Sequence, residues 1–297
     1  MNGIVNCLKP PGMTSHDVVE FLRNQLGIKK IGHGGTLDPG AAGVLPLFVG
    51  KATKAVELFE KSTKEYVAEM TLGITTDTGD NLGRILETKE IHVDLPSILE
   101  VFNKFTGKIQ QIPPMYSAVR HKGKKLYELA RKGITVERKP RTVEIYSLEL
   151  IKYEKPRILF RVSCSRGTYI RTLCEDIGRA LGCGAHLSCL IRTRLGPFHI
   201  SNSLTLEDIK MHVSSGNTNK IFMLIEDALV SFMPSVKIQL KDEKHFFKGA
   251  IFPIENISQE LKNEDVMIYN QQNKFLGIGK IVEQGQKIFV KVVKSFR

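Results

Sequence analysis

The sequence predicts an α+β fold: a mixed, largely antiparallel sheet with helices, followed by a small β-rich domain. Three observations lead there. Strand-like segments such as "TVEIYSLELIKY" and "ILFRVSCS" follow one another with no long helix between them, and such neighbours pair antiparallel because a parallel pair needs a long crossover. Helical patterns with their own start and stop residues are interspersed. Around Pro234 the texture changes to short segments punctuated by Gly, Asn and Gln. We therefore expect a larger domain over 1–234 and a smaller one over 235–297.

The elements follow in order. "HDVVEFLRNQLG" is expected to be a helix, with Ser15 as N-cap and Gly27 as its stop. "GVLPLFVG" reads as a buried strand and "ATKAVELFEKS" as the helix after it. "EYVAEMTLG" is rich in β-formers. "DLPSILEVFNKFTG" is a helix with Asp94 and Pro96 at its start and Gly107 at its end. "GTYIRTLCEDIGRALG" is another, bracketed by Gly167 and Gly182, and "HLSCLIRTRLGPF" is a strand. In the smaller domain "SVKIQL", "FFKGAIFPI", "DVMIYN", "KFLGIGKIV" and "KIFVKVV" read as strands.

Composition narrows the class. The chain has 297 residues, 42% of them hydrophobic, enough for a real core. No apolar run reaches the roughly 20 residues that span a bilayer, and the N-terminus lacks a signal-peptide pattern. A cytoplasmic protein with no membrane association is expected. The five cysteines are odd in number and form no C-x-x-C, so they read as reduced and mostly buried. Lys and Arg total 43 against 31 for Asp and Glu, a net charge of +12. That excess suits a polyanionic partner, the alternative being a basic surface that serves only solubility. Clustering favours the partner. Between Pro113 and Arg141 stand Arg120, Lys122, Lys124, Lys125, Arg131, Lys132, Arg138, Lys139 and Arg141, opposed only by Glu128 and Glu137 and interleaved with Tyr116 and Tyr127. A basic arm carrying aromatics fits phosphate contacts and base stacking.

The most informative stretch is "IGHGGTLDPGAAGVLPLFVGKATK", residues 31 to 54, with one histidine, one aspartate and six glycines. Asp-Pro-Gly is ordinary turn chemistry: aspartate bonds its own backbone, proline fixes φ and glycine allows φ > 0. The same stretch closely resembles the signature of TruB-type tRNA pseudouridine synthases. The likeness continues in the same order through "KPPGMTSHD" before it and "KEYVAEMTLGITTDTGD", "PPMYSAVRHKGKKLYELARKGI", "SRGTYIRTLCEDIG" and "GAHLSCLIRTRLGPF" after it. Glycines 34, 35 and 40 stand where some members carry bulkier residues.

This resemblance implies a reaction. A uridine at position 55 in the T-arm of tRNA becomes pseudouridine, with no redox change, no cofactor and no metal. The chain carries no G-x-x-x-x-G-K-[ST], H-E-x-x-H or G-x-G-x-x-G motif. Asp38 matches the catalytic carboxylate, a nucleophile toward either the sugar or the uracil ring. Arg171 matches the arginine that pairs with it, expected to hold the carboxylate through two parallel hydrogen bonds; by itself it reads as a surface helix arginine. Tyr66 matches the tyrosine stacked on the uracil and placed to assist proton removal from C5, where pattern alone gives a strand aromatic. His33 matches the histidine that lies against the disrupted loop stack, since the base must leave the stack first; a lone histidine is otherwise structural. Tyr169 and Leu190 match residues lining the uridine pocket, and each fits a core position equally well. Asp80 matches a position near the RNA and Lys9 the lysine of the Lys-Pro motif, and both are expected to bind the substrate. Residues 113–141 correspond to an insertion closing over the T-arm, with Arg120, Lys122, Lys124, Lys125, Arg131 and Lys132 on the RNA backbone. The tail is similar to a PUA domain, set near the acceptor stem. The implied partner is tRNA, and the implied state a monomer needing no protein partner. Two other readings are a guide-RNA-dependent pseudouridine synthase and a non-catalytic RNA-binding or RNA-folding protein.

Overall fold

The computed structural model describes residues 1–239, 245–254, 261, 264–285 and 287–296. The chain opens on strand β1 (Gly3–Lys9), helix α1 (Ser15–Leu26), and strands β2 (Ile31–His33) and β3 (Ala42–Val49). α1 starts at Ser15 itself, so its cap lies one residue before the expected one. Thr14 caps it in a reciprocal box with Asp17, and Gly27 ends it in the left-handed region. That frees Ser15, whose Oγ accepts from the Leu37 backbone N–H at 2.9 Å. β3 is buried on both faces: Val44 and Phe48 join one core cluster, while Leu45, Leu47 and Val49 join another.

The helix expected after β3 is mostly a 3₁₀ run, 50–55, and only α2 (Val56–Phe59) is α-helical. Thr53 Oγ1 donates to the Gly50 carbonyl and tightens that run. Strand β4 (Lys64–Leu72) buries Tyr66, Ala68, Met70 and Leu72, the period-2 pattern of a sheet face. A hairpin of β5 (Ile74–Thr76) and β6 (Ile85–Thr88) follows, then α3 (Leu95–Lys104), capped by Asp94, and β7 (Gly107–Gln111). The arm carries β8 (Arg120–His121), β9 (Lys124–Lys125) and α4 (Leu126–Ala130). Next come β10 (Arg141–Glu154), β11 (Arg157–Cys164), α5 (Ile170–Ala180), β12 (Ala185–Leu195) and β13 (Phe198–His199). Helices α6 (Leu206–Ser214) and α7 (Ile225–Leu229) close this part. The sequence reading places no helix at α6, although Thr205 and Asp208 form a capping box for it.

The main sheet has nine strands, in the order β1-β3-β12-β4-β11-β10-β7, with β2 and β13 added at β3 and β12. Every pairing is antiparallel except β3 with β12, where Ala42 lies opposite Ile191 and Gly43 opposite Arg192. The α+β, largely antiparallel expectation therefore holds. The parallel contact needs glycine: Gly43 has φ +114°, and a Cβ there would fall 2.2 Å from the Arg192 carbonyl oxygen. It sets the end of the 31–43 stretch against β12. Helices α3 and α5 cover one face through Ile98, Phe102, Leu173 and Ile177, in a cluster that also holds Tyr66 and Leu37.

From Ser235 the chain forms a second sheet of β14 (Ser235–Lys237), β15 (Ile251–Pro253), β16 (Asp265–Tyr269), β17 (Phe275–Gln284) and β18 (Lys287–Ser295), in the order β14-β16-β17-β18-β15. The last residue of "SVKIQL", Leu240, lies outside the described residues. This sheet has its own apolar cluster around Val266, Leu276 and Val290. It is also joined to the larger unit, because Met267 and Ile278 share a cluster with Phe59, Phe198 and Leu229.

Candidate active site

Asp38 sits in a turn closed by the Ala41 N–H on the Asp38 carbonyl at 3.0 Å. Gly40 does not use a positive φ, and the Asp38 carboxylate is not spent on its own backbone. The turn is held from behind. Ser15 fixes Leu37, and the Lys9 ammonium donates to the Pro39 carbonyl at 3.2 Å and to the Pro10 carbonyl at 2.8 Å. The carboxylate thus projects from a fixed turn into a cleft of about 720 Å³.

Across the cleft floor, Arg171 Nε lies 2.9 Å from Asp38 Oδ2. The expected two parallel bonds are not formed. The other two arms of the guanidinium go to backbone carbonyls, Nη1 to Thr78 at 3.1 Å and Nη2 to Tyr116 at 2.8 Å. Arg171 is not a surface arginine: α5 presents it inward, with its side chain 5% exposed. One buried cation thereby ties together the Asp38 turn, the Thr78–Gly83 loop and the root of the basic arm.

Burial raises the Asp38 carboxyl above the ordinary carboxylate value, and Arg171 opposes that rise. The Asp80 carboxylate pushes in the same direction as burial, and Lys9 against it. Asp38 is 43% exposed through the cleft mouth, so water moderates the effect while the packed sides sustain it. Asp80 stands 3.9 Å from Arg171 Nε through Oδ2, and its Oδ1 accepts from Thr78 Oγ1 at 2.6 Å and from the Leu82 N–H at 3.1 Å.

The structure brings Asp38, Arg171, Asp80, His33 and Leu190 into one cleft wall, with Lys125 and Arg131 of the arm. Tyr66, Tyr169 and Lys9 stand behind that lining. Tyr66 is buried on β4 directly opposite Arg192 of β12. Burial pushes its phenol up to about 12, with the Arg192 guanidinium beside it opposing. Tyr169 precedes α5, its N–H donating to Gln111 Oε1 at 3.0 Å and its carbonyl accepting from Gln111 Nε2 at 3.2 Å. Lys9 is fully buried, and that burial lowers its ammonium to about 8. His33 is half-buried with Nδ1 unpartnered; burial, then Arg192 and His16, hold its pKa below the ordinary histidine value.

The arm is a built element. Lys122 and Gly123, both at positive φ, turn the β8–β9 hairpin. Leu126 and Leu129 bury its helix, and Arg138 Nη1 on the Pro113 carbonyl at 3.1 Å closes its base. Lys125 and Arg131 both lie over the Tyr127 ring, each 5.4 Å from its centroid. Arg120, Lys122, Lys124 and Lys132 are exposed on the arm, outside the cleft lining.

Sequence reasoning missed Arg192. It is fully buried, donating from Nε to the Val44 carbonyl at 2.8 Å and from Nη2 to the Gly35 carbonyl at 2.9 Å. An arginine two residues after Leu190, on the same inward face of a strand, was the available signal. It missed Ser117, whose Oγ is buried on the cleft wall without a partner. It also missed Cys189, which alone of the five cysteines is exposed and lines the cleft. Among the described residues no cluster of His, Cys, Asp or Glu is suited to a metal ion.

Comparison with known proteins adds a family. The TruB family pseudouridylate synthase N-terminal domain matches residues 23–170, and the tRNA pseudouridylate synthase B C-terminal domain matches 171–229. A protein of Pelotomaculum thermopropionicum named tRNA pseudouridine synthase B is 47% identical over 87% of this chain and 84% of its own length. One of the same name from Alkaliphilus oremlandii is 43% identical over 99% of this chain and 98% of its own length. Among solved structures, a Cbf5-Nop10-Gar1 complex superposes with a TM-score of 0.74 at 32% identity, covering 99% of this chain and 85% of the matched chain.

Proposed function

The chain belongs to the TruB family of pseudouridylate synthases, and from that membership we propose that it isomerises uridine 55 in the T-loop of tRNA through Asp38. The reaction on tRNA follows from the relatives named tRNA pseudouridine synthase B, matched over nearly the whole chain. The observation that supports the assignment to Asp38 is its carboxylate 2.9 Å from the buried Arg171 guanidinium, at the floor of an open cleft.

The chemistry is internally balanced. The N1–C1′ glycosidic bond breaks and a C5–C1′ bond forms. The C5 proton leaves, N1 gains one, and no electrons are exchanged with a donor. Asp38 adds covalently and leaves again. Its raised pKa makes it a stronger nucleophile, and Arg171 keeps it ionised and aimed. Tyr66 supplies a flat ring and, at a pKa of about 12, a neutral hydroxyl; any step that uses it as a base draws on Arg192 to stabilise the phenolate. His33, a flat ring on the cleft wall whose burial disfavours its charged form, suits the gap left by a flipped base. Lys9 acts from beneath the Asp38 turn. Tyr169 and Leu190 shape the uridine pocket, and Asp80 holds the loop beside Arg171.

The arm, residues 113–141, would close on the T-arm, with Arg120, Lys122, Lys124, Lys125, Arg131 and Lys132 on phosphates. The sheet from 235 onward would act as a PUA-like domain toward the acceptor stem. The enzyme would work in the cytoplasm as a monomer, without a protein partner, metal or cofactor. Among the described residues no helix is long and apolar enough to cross a membrane.

A second reading, guide-RNA dependence, draws on the likeness to the Cbf5 complex. The relatives named for tRNA match at higher identity, and the long basic arm suits direct tRNA contact. A binding protein without catalysis would have no use for the Asp38–Arg171 pair. The test is incubation with unmodified tRNA transcript and no guide RNA, followed by pseudouridine mapping at single-nucleotide resolution. Conversion at position 55 supports the proposal. Binding without product favours the binding-protein reading, and product only with an added guide favours the second.

A further inference from the structure

We propose that Leu82 is a substrate contact: an apolar platform at the cleft mouth that seats a nucleobase of the RNA loop beside the target uridine. This rests on the function proposed above and names a residue that its chemistry does not use.

Leu82 is 69% exposed. Exposed leucines are common, but this one stands on a turn fixed from several sides. Asp80 Oδ1 accepts its N–H at 3.1 Å and the Thr78 hydroxyl at 2.6 Å. Its neighbour Asn81 donates from the backbone to the Leu187 carbonyl and from Nδ2 to the Ser188 carbonyl, both at 3.1 Å, which clamps the turn to β12. On the other side, a Cβ on Gly83 would lie 2.3 Å from Thr78 Oγ1, so the chain there is packed against the loop. A mobile tip could expose a leucine incidentally. A pinned turn holds it in one place, at a lasting cost in exposed apolar surface.

The place is informative. Leu82 lines the same cleft as Asp38, and its Cδ1 lies 3.5 Å from where a Cβ on Gly40 would sit. It therefore leans over the end of the catalytic turn, where Gly40 leaves room. Tyr116 and Tyr127 of the arm line the cleft too, with the cations Lys125 and Arg131. A ligand there meets aromatic faces, positive charge for phosphate, and one fixed aliphatic surface. A nucleobase has apolar faces and polar edges, and a leucine without hydrogen-bonding atoms can meet only a face. The contact should therefore require a base without selecting which base.

The experiment uses the whole chain and a T-arm hairpin RNA under single-turnover conditions. Wild type must first form pseudouridine on it; if none forms, the proposed function fails before this inference is reached. Leu82→Ala is expected to weaken hairpin binding roughly tenfold, within the scale of covering a leucine side chain's apolar surface. The saturated rate should stay within about twofold, and the thermal midpoint should not fall, because the side chain is already in water. A set of hairpins, each abasic at one loop position, then locates the base. At one position wild type loses affinity by the same factor and Leu82→Ala loses no more, a non-additive cycle. Unchanged binding by Leu82→Ala overturns the proposal. So does a loss confined to the saturated rate or a lowered thermal midpoint, either of which would make Leu82 a prop for the Asp38 turn. An equal penalty on every abasic hairpin also overturns it, because no base is then seated on Leu82.

Discussion

Replacing Arg171 by alanine tests the electrostatics of the site most directly. The substitution removes the Nε contact to Asp38 at 2.9 Å and strips the Thr78 and Tyr116 carbonyls of their donors. A charge-assisted hydrogen bond contributes about 1.5–3 kcal/mol, which corresponds to roughly 10- to 150-fold in rate if it acts at the transition state. Because the Asp38 side chain is 43% exposed, water screens part of this, and the lower half of that range is expected. The carbonyls left unpaired add about 1–3 kcal/mol each, and that cost falls on stability rather than on rate. The pH profile separates the two. Burial already raises Asp38, and Arg171 is the main influence holding it down. Without Arg171 the pKa rises further, the reactive carboxylate forms at higher pH, and the onset of activity moves up. Arg171→Lys keeps the charge but cannot reach three acceptors in one plane, so it should fall between, with a profile near wild type. Asp38→Asn should abolish turnover at every pH while binding tRNA within about tenfold of wild type. The assay is single-turnover pseudouridine formation against pH for all four proteins. A wild-type rate and profile for Arg171→Ala would falsify the pairing and turn attention to Lys9, the other nearby cation.

Three further outcomes are expected. Lys9 is lowered to about 8 in the folded chain from an ordinary value near 10.5. Between those values the unfolded chain binds more protons, so this residue makes stability rise with pH through that window. Lys9→Met should remove its share of the rise, read as the difference between the urea midpoints of the two proteins against pH; an unchanged difference would mean that Lys9 titrates normally. Replacing Lys122, Lys124 and Lys125 together should lower the salt dependence of tRNA binding by about 0.7–0.9 for each phosphate no longer neutralised, and an unaltered slope would show that the arm does not touch RNA. Deleting the chain from residue 240 onward should lower the thermal midpoint of the remainder, because Met267 and Ile278 leave a cluster shared with Phe59 and Phe198; calorimetry showing no change would mean that the second sheet rests on the first without sharing its core.

Much of the fold was legible because its causes are local. Period-2 burial in β4, the Asp94 cap of α3 and the Gly27 stop of α1 all arise from residues a few positions apart. The composition of the basic arm and the turn at Asp38 were legible for the same reason. Where local causes compete, neighbours decided: Thr14 took the cap because Asp17 completes its box, and Ser15 was then free to fix Leu37. The site beyond the motif was not readable in this way. Arg192 and Gly35 are 157 residues apart, and their contact exists only because β12 runs parallel to β3. A motif could suggest that Arg171 meets Asp38, but it could not divide the guanidinium among Asp38, Thr78 and Tyr116, since each acceptor arrives from a different loop. The burial of Lys9 likewise depends on Pro39, thirty residues on, being folded over it. In each case the sequence sets which groups are available and how each segment coils or extends. Strand register and the packing of distant loops decide which of those groups are desolvated together, and that shared desolvation shifts Asp38, Tyr66 and Lys9 from their ordinary pKa values.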